Sequence, residues 1–242
     1  MIAVSIWRTF DYDNDNDNDN EEASVSELEQ RSTRLPKLKR RCTSLIPIIT
    51  EQQPMHRRDL LSLLHRHRTP FMEEAAHVNR ALDFVECHEN CFDCDLWPGH
   101  VTGSVWVVSP DRERVLLLHH RKHDQWFQPG GHADGDADIL RVALRETSEE
   151  TGLDPSHVRL VNSAVFDVDI HVIPASERGP RHEHVDIRFL VEMDDDLEIP
   201  GNDESHEILW VPLTQISRFN NNLSTHRMVE KTRRLRNPTN VA

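Results

Sequence analysis

The stretch from Gly130 to Leu153 constrains the fold more than any other part of the chain. Ile139, Leu140, Ala143, Leu144 and Thr147 repeat at helical spacing and predict one apolar helix stripe. Gly152 follows as a stop that tolerates the left-handed conformation. Upstream, the Gly130-Gly131 pair is expected to let the backbone turn sharply before the helix. Glu146, Glu149 and Glu150 fall at offsets 0, 3 and 4. On a helix these positions share a face, with Cβ atoms roughly 5–6 Å apart. Arg145, Glu146 and Glu149 lie off the apolar stripe, with Glu150 at its edge. Like charges so placed repel, and a hard divalent cation held by oxygen ligands removes that repulsion. The segment reads as a metal site built on a helix.

These residues resemble the Nudix box, G-x5-E-x7-R-E-U-x-E-E-x-G-U, where U is a bulky aliphatic residue. Gly131, Arg145, Glu146, Glu149, Glu150, Gly152 and Leu153 stand in register with it. Two positions depart. Thr147 replaces an aliphatic residue, and Ala137 replaces the first glutamate. Asp136 and Asp138 flank that gap and are the candidate replacements, Asp138 being better placed on a helical projection.

The resemblance covers residues 100–220 and implies an α+β fold, a Nudix-type mixed-sheet α/β/α sandwich, here with an N-terminal helical cap. It implies Mg²⁺ (or Mn²⁺) bound by Glu146, Glu149 and Glu150 with Gly131 part of the metal site, and Arg145 orienting a glutamate. The implied activity is metal-dependent hydrolysis of the phosphoanhydride bond in a small nucleoside-diphosphate-linked substrate. Many Nudix proteins carry a late glutamate near the metals. Glu204 and Glu207 follow Gly201-Asn202 here; either is a candidate general base, and Glu204 is counted among the catalytic residues. Two other readings share the fold. A binding or regulatory domain with weakened catalysis draws on Ala137. An isomerase needs a catalytic cysteine and acid in the cleft, which Cys87, Cys91 and Cys94 do not supply from so far upstream.

The chain has 16 histidines, dense enough to suggest a second cluster. His182 and His184 share a strand face, as do Asp167 and Asp169. With His132 and His171 they either line the substrate cleft or hold a second metal. His132, His171, His184 and Trp126 are the expected substrate contacts, Trp126 by stacking. His119, His120 and His123 read as surface residues.

The net charge of −14 argues against binding bulk nucleic acid. Much of it is local. Asp11, Asp13, Asp15, Asp17, Asp19, Glu21 and Glu22 sit in an Asp-Asn repeat that cannot form a core. The acids match EF-hand offsets, but Asn16 stands where the turn glycine belongs, and a solvated tail is the reading adopted. The bases from Arg31 to Arg41 are read as neutralising it. Cys87, Cys91 and Cys94 give C-x3-C-x2-C beside His88, a spacing open to zinc or an iron–sulfur cluster. Free thiols of a reducing compartment are the reading adopted. No apolar run spans a membrane, and a cytoplasmic enzyme is expected, with a homodimer left open.

The expected organisation is a dispensable tail over 1–54, a helical segment over 55–95 and the catalytic domain over 96–237. Helices are predicted over 56–67, from Thr69-Pro70 onward, over 213–219 and over 225–235. Strands are predicted over 101–108, 114–119, 158–173, 185–192 and 208–211.

Overall fold

The computed structural model describes residues 55–176 and 179–236. The acidic repeat and the basic segment of 1–54 lie outside the described residues. The chain begins with two helices, α1 (Met55–Arg66) and α2 (Met72–Cys87). Strands β1 (Gly99–Val108), β2 (Arg114–His120), β3 (Gln125–Phe127) and β4 (Gly130–His132) lead to helix α3 (Ile139–Thr151). Then come β5 (Arg159–Leu160), β6 (Asp167–Ile173), β7 (His182–Glu192), β8 (Ser205–Pro212) and helix α4 (Leu223–Arg236).

The sheet is mixed. β1 and β7 run parallel at its centre, in register from Gly99 opposite Glu183 to Val108 opposite Glu192. The remaining pairings are antiparallel. β4 adds to β1 at residues 102–104, β6 to β7, β2 to the far end of β1, and β3 and β8 to β2. A parallel pair at the centre must be covered on both faces, and the side chains show this. Val101, Val105 and Val107 of β1 with Val185, Ile187 and Phe189 of β7 pack against α1, α2 and α3. The alternate residues Trp106, Val108 and Leu190 pack against Met228 and Val229 of α4. Trp106 Nε1–H also donates to Thr232 Oγ1 at 2.9 Å, which pins α4. The α+β sandwich implied by the box is therefore the observed architecture.

Three local expectations are corrected. Residues 158–173 break into β5 and β6, because Asn162, Ser163 and Ala164 lie exposed between them. Residues 213–219 make only one turn of 3₁₀ helix, Ile216–Arg218, since a single apolar residue there, Ile216, is buried after Leu213. The glycine pair does not turn the chain. Gly130 and Gly131 form β4, and the turn falls later, where Asp134 and Gly135 take φ of 50° and 84°.

The polar face of the central strands carries a buried ionic network. Arg188 bonds Asp186 at 2.7 Å, Asp169 at 3.1 Å and Asp167 at 3.4 Å. Arg227 and Lys231 of α4 reach Asp167 at 2.8 and 2.7 Å, and Lys231 reaches Glu74 of α2 at 2.6 Å. Asp167 and Asp169 are thus neutralised by cations, and the expectation that they serve a cleft or a second metal is withdrawn. Among the described residues, no helix is long and apolar enough to cross a membrane.

Candidate active site

β4 lies beside β1, with Gly131 opposite Gly103. Both glycines face α3, and both admit it by lacking a side chain. A Cβ on Gly103 would stand 2.8 Å from the Ile139 carbonyl oxygen, and one on Gly131 would stand 2.3 Å from Glu146 Oε2. The Glu146 carboxylate therefore rests on bare backbone. Gly130 completes the cradle, its N–H donating to Glu150 Oε2 at 2.9 Å.

Arg145 donates to Glu146 Oε1 at 2.6 Å and to the His132 carbonyl at 2.9 Å, and its Nε lies 3.7 Å from Glu149. One guanidinium thus ties α3 to β4 and holds Glu146 in place. Glu149 is exposed, Glu146 half-buried and Glu150 buried. Glu150 is a correction to the helical projection, because it falls within the buried stripe with Ile139, Val142, Ala143 and Thr147. Burial pushes its carboxyl up to about 8, and Glu146, Glu204 and Glu149 add to the rise. Burial also raises Glu146, against the pull of Arg145. Glu146 and Glu150 are raised even with Arg145 on Glu146, and a divalent cation would suit the charge that Arg145 leaves uncompensated.

The gap left by Ala137 is not filled by its neighbours. Asp138 caps α3, accepting from Arg141 N–H at 3.1 Å. Asp136 takes both the Arg141 guanidinium, at 2.6 and 2.9 Å, and the Asp138 N–H. Ala137 packs against the core. Burial leads the rise of Glu146 and the Glu146 hydrogen bond that of Arg145, and the loop acid Asp134 adds a smaller contribution to each.

Glu204 enters from the other side. Gly201 N–H donates to the Thr151 carbonyl at 2.8 Å, and Asn202 Nδ2–H donates to the Glu149 carbonyl at 3.1 Å. Asn202 also accepts from Glu204 N–H at 2.9 Å. This latch holds the loop on the end of α3 and puts Glu204 within electrostatic reach of Glu150 and His120. Glu207 lies in β8 itself, its backbone opposite His119 of β2, and its side chain is exposed. His120 was expected on the surface and is instead part of this neighbourhood, with burial lowering its pKa.

Trp126 stacks on His119 with ring centroids 4.8 Å apart and meets Phe219 edge-on. It is half-buried against the α4-side core. His132 and His184 face each other on the sheet surface opposite α3, Nε2 to Nε2 at 3.4 Å, with His182 Nε2 3.3 Å from His184. His171 is exposed beside them. His100, which the motif reading passed over, lies beneath them and is only 2% exposed. Its signal was its place two residues before Thr102 on a strand whose even positions face that surface. Cys91 is buried, and burial pushes its thiol up to about 12, the behaviour of an inert thiol. Among the described residues the cysteines do not form a group able to hold a metal.

The fold is thus a mixed-sheet sandwich in which a glycine strand packs against the glutamates of one helix. The chain matches the NUDIX domain over residues 99–232, more than half of its length, and it belongs to the Nudix family. It is 27% identical over 85 residues to a probable DHNTP pyrophosphohydrolase of Lactococcus lactis subsp. cremoris, covering 34% of this chain. The chain spans about half the length of that relative, 49%. Among solved structures it is similar to a C. elegans Ap4A hydrolase complex, with 15% identity, TM-score 0.47, and coverage of 56% of this chain and 96% of that one. It is also similar to the E. coli dihydroneopterin triphosphate pyrophosphohydrolase, with 17% identity, TM-score 0.44, and coverage of 54% and 92%.

Proposed function

We propose that the chain is a divalent-cation-dependent hydrolase that cleaves the phosphoanhydride bond of a small nucleoside-diphosphate-linked substrate. The observation that carries this reading is the pairing of Glu146 and Glu150 with the bare backbone of Gly131 and Gly130. Glu146, Glu149 and Glu150 would hold Mg²⁺ or Mn²⁺. Such a cation neutralises phosphate charge and lowers the pKa of a bound water. Arg145 keeps Glu146 aimed at the cradle by a charge-assisted hydrogen bond. Glu204, on the loop latched to α3 and within electrostatic reach of Glu150, would accept a proton from the attacking water. The L. lactis relative, a probable DHNTP pyrophosphohydrolase, supports this class of reaction.

The test is hydrolysis of a panel of nucleoside, pterin and sugar-nucleotide phosphoanhydrides with Mg²⁺ or Mn²⁺, followed by phosphate release. Turnover that needs the cation and is lost in Glu149→Gln and Glu150→Gln supports the reading. Unchanged turnover in both variants would refute the ligand assignment. No turnover on any member, with tight binding of one, would favour a binding domain.

A further inference from the structure

The histidines on the sheet face away from α3 form a second constellation, separate from the glutamates. His100 comes from β1, His132 from β4, and His182 and His184 from β7. One ligand nitrogen each from His100, His182 and His184 fall within 4.8 Å of one another. A tetrahedral ion with metal–nitrogen bonds of about 2.05 Å sets its ligand nitrogens about 3.3–3.4 Å apart. The Nε2 of His184 already stands 3.3 Å from that of His182 and 3.4 Å from that of His132.

Hydrogen bonding alone satisfies this cluster poorly. His100 is 98% buried, because it is 2% exposed, and neither of its ring nitrogens has a hydrogen-bond partner. The Leu96 carbonyl lies nearby but without bonding geometry. Leaving a buried polar group unpaired is costly, so a buried imidazole aimed at three others calls for a ligand. His182 is oriented as a metal ligand is. With its Nδ1–H donating to the Pro180 carbonyl at 2.8 Å, its Nε2 lone pair faces the cluster.

We propose that His100, His182 and His184 bind one borderline transition-metal cation of the Zn²⁺ class, and that His132, outside that trio but with its Nε2 3.4 Å from that of His184, closes the site as a fourth imidazole. Imidazole ligands favour such an ion over Mg²⁺ or Ca²⁺, which take oxygen ligands. A closed site is a structural one. Its effect is to clamp β4 to the β1–β7 pair through His132, the residue after Gly131, whose carbonyl also receives Arg145.

The experiment titrates Zn²⁺ and Co²⁺ into the full chain stripped of metal, using a chromophoric chelator as competitor. Glu149→Gln/Glu150→Gln serves as the background to silence the carboxylate site. The expected result is one tight ion per chain and a tetrahedral Co²⁺ visible spectrum. His184→Gln should weaken it by roughly 100-fold or more, since even an outer partner of a ligand is worth 10–100-fold. His182→Gln, at the half-exposed rim, is the second variant, with circular dichroism in chelator confirming that each is folded. Weak or absent Zn²⁺ binding, binding unaltered by folded His182→Gln and His184→Gln, or an octahedral Co²⁺ spectrum would overturn the site.

Discussion

The amide of Gly130 donates to the side chain of Glu150, an acid that burial raises to about 8. The sign of the pH effect follows. A carboxyl raised in the folded state disfavours folding as pH climbs from the unfolded value of 4.5 through 8. Protein held in chelator should therefore lose thermal stability across that window. Glu150→Gln, neutral at every pH, should flatten the slope and melt higher at pH 8, while hydrolysis falls by roughly 100-fold or more. Melting curves from pH 5 to 9 check the first effect, and an equal slope in both proteins would sink it.

Gly131 tests the cradle. A methyl there would overlap Glu146 Oε2 at 2.3 Å, so the carboxylate must move. Displacing a catalytic group by about 1 Å costs up to roughly 100-fold. Gly131→Ala should lower kcat/KM on that scale with little change in melting temperature. A fall confined to melting temperature would mean that Gly131 serves only packing.

The box was legible because its periodicity and charge spacing are local. Helix α3, its Gly152 stop and the Arg145–Glu146 pairing follow from residues within one or two turns. What sequence concealed were relationships made by strand register. Gly131 and His132 are neighbours in the chain, yet strand alternation sends them to opposite faces. Asp167 and Asp169 looked like cleft acids because Arg188 and Arg227, 21 and 60 residues away, were invisible as partners. His100 had no motif around it, and only the parallel pairing of β1 with β7 sets it opposite His184. Glu204 was separable from Glu207 only once the latch through Gly201 and Asn202 was seen.

Restoring the missing box acid should not help this protein. Ala137 packs on the core, and the arginine beside it is already engaged by Asp136. Ala137→Glu would bring a charge to a half-buried apolar position, and burying an unpaired charge is unfavourable. The expected outcome is a lower melting temperature and no gain in kcat. A tenfold or larger gain at saturating cation would show instead that the loop rearranges to use the new carboxylate.

The last prediction concerns Glu74, which joins α2 to α4 and is fully buried. Burial alone would raise its pKa. The hydrogen bonds from His67, Lys231 and Thr69, with the charge of Lys231, outweigh burial and hold it at about 2. A depressed carboxyl stabilises the fold above its unfolded value of 4.5, and that contribution disappears as pH falls toward 2. A lowering from 4.5 to about 2 corresponds to roughly 3 kcal/mol. Glu74→Gln should be less stable than the parent by about that amount at pH 7, since it also leaves Lys231 and His67 without their carboxylate. Their urea-unfolding free energies should converge between pH 4.5 and 2, because the parent then loses the same charge. A gap that stayed constant down to pH 2.5 would show that the side chain contributes packing and neutral hydrogen bonding rather than its charge.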